Sequence, residues 1–128
     1  MQVDPIIAVK NVLASAEWYQ NLLGCENKHG DSKEFAVLTS GDEILLCLHR
    51  WGAHEHPTMV DAAVAPGNGL ILYFRVDNLE YIRKRADELC LKIQEEVHVN
   101  TNSTKKEFSL YDHDGYYITI TEFHTFKG

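Results

Sequence analysis

The sequence predicts an α+β fold of two βαβββ modules that pair into a curved mixed sheet around a cavity. Three observations predict it. The apolar pattern switches between the two-residue period of strands and the longer period of helices, in the order βαβββ, twice. Placing Val9-Lys-Asn11 on Val76-Asp-Asn78 gives an offset of 67 residues, which carries Val12 to Leu79, Tyr19 to Ala86 and Leu22 to Leu89. Near the end, Ser109 to Glu122 reads as a strand, a tight Asp112–Gly115 turn and a second strand. A unit of this size cannot cover its own sheet, so two units should pair and leave a concave surface for a small ligand.

In the first half, Pro5 to Val9 is a short buried strand, and Asn11 is a helix N-cap candidate. Val12, Ala16, Tyr19 and Leu23 recur at helical spacing, and Gly24 is placed to end the helix in a left-handed conformation. Glu26 to Gly30 is a poorly marked edge strand. Phe35 to Thr39 and Glu43 to His49 are better strands, joined by Ser40-Gly-Asp42 turn chemistry. Module 1 is expected over about 1–57 and a linker over about 58–69, where Pro57, Pro66, Gly67 and Gly69 cluster.

Module 2 is expected over about 70–128. Leu70 to Val76 is its first strand, and Asn78 is the second N-cap candidate. Leu79, Ile82, Ala86 and Leu89 then form a helical stripe. Ile93 to Val99, Lys106 to Tyr111 and Tyr117 to Phe123 complete the unit. The polar run from Asn100 to Lys106 is a surface loop or a lid.

Composition narrows the classes. The 45% hydrophobic and 24% charged residues are ordinary for a globular chain, and no apolar run is long enough to span a bilayer. A net charge of −7 argues against nucleic acid and anionic membranes and is compatible with a cationic ligand. Three cysteines without a CxxC pair, and no basic-then-apolar leader, point to the cytoplasm.

Several segments together resemble the vicinal oxygen chelate superfamily of glyoxalase I, bleomycin-resistance proteins and extradiol dioxygenases. They are Ile7-Ala-Val-Lys-Asn11, Ser15 to Gly24 with its Trp18-Tyr19 pair before Leu-Gly, Phe74 to Leu79, and the Tyr-Asp-His-Asp-Gly115 turn. His113 replaces the family's usual Pro in that turn, and Leu91 stands where the second half often has Gly. The resemblance implies the glyoxalase/bleomycin-resistance type of fold and a homodimer. It also implies that metal-dependent relatives place His, Gln or Glu early in each first strand and midway along each last strand. Here those positions hold about Asp4, about Ile71, Thr119 and one of Leu45, Leu46 or Cys47. One possible oxygen ligand does not make a divalent-metal site, so no cofactor is expected.

Candidate site residues follow from strand parity. Leu70, Leu72, Phe74 and Val76 share one face; Tyr73 and Arg75 share the other with Ile71. Arg75 there would suit an anionic ligand, or pair with Asp4, Glu107 or another acid, or reach solvent at the strand end. Tyr117 and Thr119 are either a cavity wall or ordinary strand formers. His49, Trp51, His54 and His56 fall in one loop-like stretch, and Trp51 could stack on a ligand or pack in a dimer interface. Cys47, among leucines, reads as a buried apolar residue.

The leading functional expectation is metal-independent binding of a drug or metabolite. One alternative is a lyase, isomerase or dioxygenase whose divalent metal is held by Asp4, His49, His54, His56 or Glu122. The other is a metal-free enzyme in which Arg75 and Tyr73 stabilise an anion.

Overall fold

The computed structural model describes residues 2–52, 57–64, 67 and 69–124. Its elements run β1 (Ile6–Val9), α1 (Val12–Leu23), β2 (Glu26–Asn27), β3 (Phe35–Ser40), β4 (Glu43–Arg50), β5 (Leu72–Val76), α2 (Leu79–Glu88), β6 (Glu95–Val99), β7 (Lys106–Tyr111) and β8 (Tyr117–Glu122). A single 3-10 turn occupies Pro57–Met59. Contacts divide the chain into two units, Met1–Pro66 and Gly67–Gly128. Each unit is a βαβββ module with a four-stranded mixed sheet, ordered β1-β4-β3-β2 in the first and β5-β8-β7-β6 in the second.

The first module is built on local signals. The Asn11 side chain accepts the Ala14 amide at 3.0 Å, which satisfies one orphan donor of α1. Gly24 ends the helix at φ 73, and its amide donates to the Gln20 carbonyl. The buried stripe of α1 is Val12, Ser15, Ala16, Tyr19 and Leu22; Leu23, expected on that stripe, is half-exposed. Ala36, Leu38, Leu46 and Leu48 alternate along β3 and β4 and are fully buried beneath α1. β1 lies parallel to β4, with Ile6 beside Cys47 and Val9 beside Arg50. Burial and the nearby charge of Asp4 push the Cys47 thiol up, so it behaves as a small apolar group.

The second module repeats the order with different ends. Asn78 occupies the N-cap position of α2, but its side chain makes no capping bond. Its ψ of 45°, against 105° at Asn11, is away from the extended conformation a capping residue adopts. At the other end Cys90 takes the left-handed position, φ 57, one residue before Leu91. The Leu91 amide donates to the Ala86 carbonyl and the Cys90 amide to that of Asp87, a Schellman closure with cysteine where glycine is usual. β5 lies parallel to β8, and β7 antiparallel to it, with Phe108 opposite Ile120 and Leu110 opposite Ile118. Those four side chains, with Leu72 and Phe74, are buried on the α2 side of the sheet.

Arg83 clamps α2 to the edge strand β6. Its guanidinium reaches both oxygens of Glu96, at 2.6 and 2.8 Å, and Asp87 at 2.7 Å. It also lies 5.9 Å from the centre of the Phe108 ring. These bonds, then the Val97 amide, hold the Glu96 carboxyl down at about 2.

The left-handed Cys90 and the Arg83–Glu96 clamp each carry a prediction. Cys90→Gly removes the steric cost of a left-handed side chain and should raise stability by about 0.5–1 kcal/mol after glycine's own entropic cost. Urea unfolding checks it, as a higher midpoint with an unchanged slope. A carboxyl held low in the folded state adds stability above its unfolded value of 4.5 and loses it as pH falls through about 2. The gap in melting temperature between wild type and Glu96→Gln should therefore be constant near neutral pH. It should close as the pH is lowered across that window.

Candidate functional site

The two faces of the second module's sheet differ in chemistry. Alternation sends Phe108, Leu110, Ile118 and Ile120 towards α2, so Glu107, Ser109, Tyr111, Tyr117, Thr119 and Thr121 project from the opposite face. Tyr73 and Arg75 join them from β5, beside Thr119 and Thr121. This face therefore carries hydroxyls and a carboxylate where the other carries hydrocarbon.

Glu107 is the centre of the polar group. Only 7% of its surface is exposed. Its Oε1 accepts the Tyr73 hydroxyl at 3.1 Å and the Asn100 amide at 3.1 Å. Among the described residues no Lys or Arg forms an ion pair with it. Asn100 is set by its own loop: its Oδ1 accepts the Asn102 and Ser103 amides, and its backbone N–H donates to the Lys105 carbonyl. The polar run that reads as loop or lid thus delivers one donor to the site. One rung away, the Ser109 and Thr119 hydroxyls meet at 2.8 Å, both buried. At the hairpin end, Tyr111 and Tyr117 pack edge to face with centroids 5.3 Å apart.

The structure brings Tyr73, Tyr117 and Thr119 onto this one face. Arg75 shares the face's parity but is exposed. Its Nη1 donates to the His124 carbonyl at 2.7 Å, and its guanidinium lies 5.3 Å from the centre of the Phe123 ring. Glu107, one acid proposed to pair with Arg75, bonds neutral donors instead. Glu122 accepts the Lys106 amide at 2.7 Å, a structural role at the strand end. A cleft of about 410 Å³ opens where β5 meets α2, lined by Asp77, Asn78, Tyr81, Lys105, Glu122 and Phe123 among others, apart from Tyr73 and Glu107.

His49 and Trp51 belong to the first module. The His49 Nδ1–H donates to the Arg50 carbonyl at 2.9 Å, and its ring packs edge to face on Phe35 with centroids 5.9 Å apart. Trp51 donates its backbone amide to the Val9 carbonyl. His54 and His56 lie outside the described residues. Glu107, Asn100 and Ser109 are the site residues that sequence reasoning did not select. Parity was the available signal, since Glu107 and Ser109 alternate with Phe108 and Leu110.

The residues at the family's metal positions do not fit a metal centre. Asp4 is exposed, Ile71 is an exposed hydrocarbon and the Thr119 hydroxyl is engaged by Ser109. Leu45 and Leu46 offer no donor, and burial, then the charge of Asp4, pushes the Cys47 thiol pKa up, away from the thiolate a metal needs. Among the described residues, no three His, Cys, Asp or Glu side chains gather closely enough to share an ion.

Comparison with known proteins supplies the family. A protein of unknown function from Agrobacterium tumefaciens str. C58 has a similar structure, with a TM-score of 0.79, 20% identity, and coverage of 97% of this chain and 94% of that one. The bleomycin resistance determinant encoded on transposon Tn5 matches with a TM-score of 0.69 and 16% identity over 98% and 99% of the two chains. A lactoylglutathione lyase from Agrobacterium tumefaciens matches with a TM-score of 0.69 and 14% identity over 95% and 92%. At these identities the likeness shows the fold alone. No curated protein sequence matches significantly. The family model for the Glyoxalase/Bleomycin resistance protein/Dioxygenase superfamily matches residues 2–120. The chain belongs to that superfamily.

Proposed function

We propose that this protein binds a small organic molecule, a drug or metabolite, without a metal, on the polar face of β5, β7 and β8. The observation that carries the reading is the buried Glu107, held by half-buried Tyr73 and Asn100, on the sheet face turned away from α2. A carboxylate taken out of water costs several kcal/mol even after relaxation, roughly, unless it is well paired. A sheet needing only a packed interior would carry hydrocarbon there, as the α2 side does. Hydrogen-bonding groups set among apolar and aromatic walls are the usual means by which a binding site fixes a ligand's orientation. The same fold serves a bleomycin resistance determinant and a lactoylglutathione lyase. The poor donor set at the family's metal positions favours the former kind of use.

Elemental analysis and a thermal-shift screen test this reading together. The purified protein should carry no stoichiometric divalent ion, and dialysis against a chelator should leave its melting temperature unchanged. Screening drugs and metabolites should yield a hit that stabilises by roughly 2.7 kcal/mol at 100 times its dissociation constant. Tyr73→Phe, which removes one donor from Glu107, should weaken that hit by about tenfold, the size of a hydrogen bond to a charged group. A stoichiometric ion whose removal abolishes every hit would overturn the proposal.

A further inference from the structure

The cleft where β5 meets α2 holds opposite charges that do not meet. Its volume of about 410 Å³ lies within the range of small-molecule pockets, roughly 300–1,000 Å³. Lys105, Asp77, Glu80 and Glu122 all line it. Lys105 is half-buried, yet among the described residues it forms no ion pair, and neither do the three carboxylates. A lysine drawn partly out of water is ordinarily paired. Its place in the chain is also fixed. The Lys105 carbonyl accepts the Asn100 amide at 2.8 Å, and Thr104 before it takes φ 64, a left-handed conformation that is costly for a β-branched side chain. Glu122 is held in turn by the Lys106 amide at 2.7 Å. The cleft therefore presents both signs of charge from positions set by the backbone around them.

Those charges decide the kind of ligand. A lone anion would meet three carboxylates for one ammonium. A lone cation would leave Lys105 without a partner. A molecule that carries both signs satisfies both walls, because each of its charged ends gains a charge-assisted hydrogen bond. Tyr81 and Phe123 complete the lining and are 62% and 60% exposed, so aromatic surface stands open to water at the same cleft. Such surface receives a flat or apolar group. We propose that this cleft is a separate binding site for a zwitterion of the α-amino acid class with an aromatic or apolar side chain. Lys105 takes its carboxylate, Asp77 and Glu122 its ammonium, and Tyr81 and Phe123 its side chain. The inference does not depend on the polar sheet face, since neither Tyr73 nor Glu107 lines the cleft.

Three matched probes test it: L-phenylalanine, 3-phenylpropanoate, which lacks the ammonium, and phenethylamine, which lacks the carboxylate. Each is titrated into isotope-labelled protein and followed by amide chemical shifts. Phenylalanine should bind about tenfold more tightly than either of the others, the size of one hydrogen bond to a charged group, with shifts at 76–81, 105 and 122–123. Lys105→Gln should weaken phenylalanine and phenylpropanoate by a similar factor and spare phenethylamine. Asp77→Asn should weaken phenylalanine and phenethylamine and spare phenylpropanoate. Lys92→Gln, at an exposed position outside the cleft lining, removes the same charge as Lys105→Gln and should leave all three affinities unchanged. The wild-type ranking of the probes needs no variant, should either cleft substitution fail to fold. Phenylpropanoate or phenethylamine binding the cleft as tightly as phenylalanine overturns the zwitterion assignment. Equal effects of Lys105→Gln and Lys92→Gln overturn it as a bulk charge effect. Shifts confined to Tyr73, Thr119 and their neighbours overturn the cleft while supporting the sheet-face reading. No binding of phenylalanine up to its solubility limit overturns the cleft and leaves that reading to its own screen.

Discussion

The Asp112 turn governs the side of the sheet on which every side chain from Glu107 to Thr121 falls. Its Oδ1 accepts the amides of Asp114 and Tyr116, its own N–H donates to the Tyr116 carbonyl, and Gly115 closes the turn at φ 93. The carboxylate is itself buried, so these bonds are made away from competing water. They leave Tyr111 opposite Tyr117, and the remaining rungs follow. A slip of one residue would turn Glu107 and Ser109 into the α2 interior and push Phe108 and Leu110 out of it. Tyr116 is also seated on Gly67, where a Cβ would come within 2.7 Å of the ring. The start of the unit and its hairpin turn therefore hold each other.

The two modules share a framework and differ in the chemistry of the sheet face turned away from the helix. In the first, the rungs under α1 pair Ala36 with Leu48 and Leu38 with Leu46, while Phe35 faces His49 and Val37 faces Cys47 on the other side. In the second, the matching rungs on the face away from α2 pair Ser109 with Thr119 and Glu107 with Thr121. The helix-facing positions are constrained alike in both halves because each must bury a helix against a sheet. The other face carries no such shared requirement, and there the halves have diverged.

What was legible in the sequence was what is decided locally. Asn11, Gly24 and the Asp-His-Asp-Gly turn each act within four residues, and the structure bears them out. The ends of the second helix were less legible. Asn78 has the right side chain on a backbone too far from extended, and the left-handed position falls on Cys90, which carries no glycine signal. β2 is only Glu26–Asn27, shorter than its polar run implied, and β5 and β6 begin two residues later than their apolar runs. Tyr73, Tyr117 and Thr119 were placed on their face by alternation alone. Glu107 entered only as a possible partner for Arg75. Its partner Tyr73 comes from β5, and Asn100 reaches it only because the 100–105 loop folds back onto itself, which is not a property of any short window.

One feature of the topology bears on how this chain is made. In each module the first strand lies parallel to the last one: β1 beside β4, and β5 beside β8. A parallel pair needs a long crossover, so neither opening strand can find its neighbour until the rest of its module has been synthesised. β5 waits for β8, whose last residue is Glu122. Until then the apolar side chains of Leu72 and Phe74 have helix α2 for company and no sheet to join. Non-local pairing of this kind makes folding slow. It also makes each module an all-or-none unit on the ribosome, with the nascent second half exposed to wrong partners until nearly its whole length has emerged.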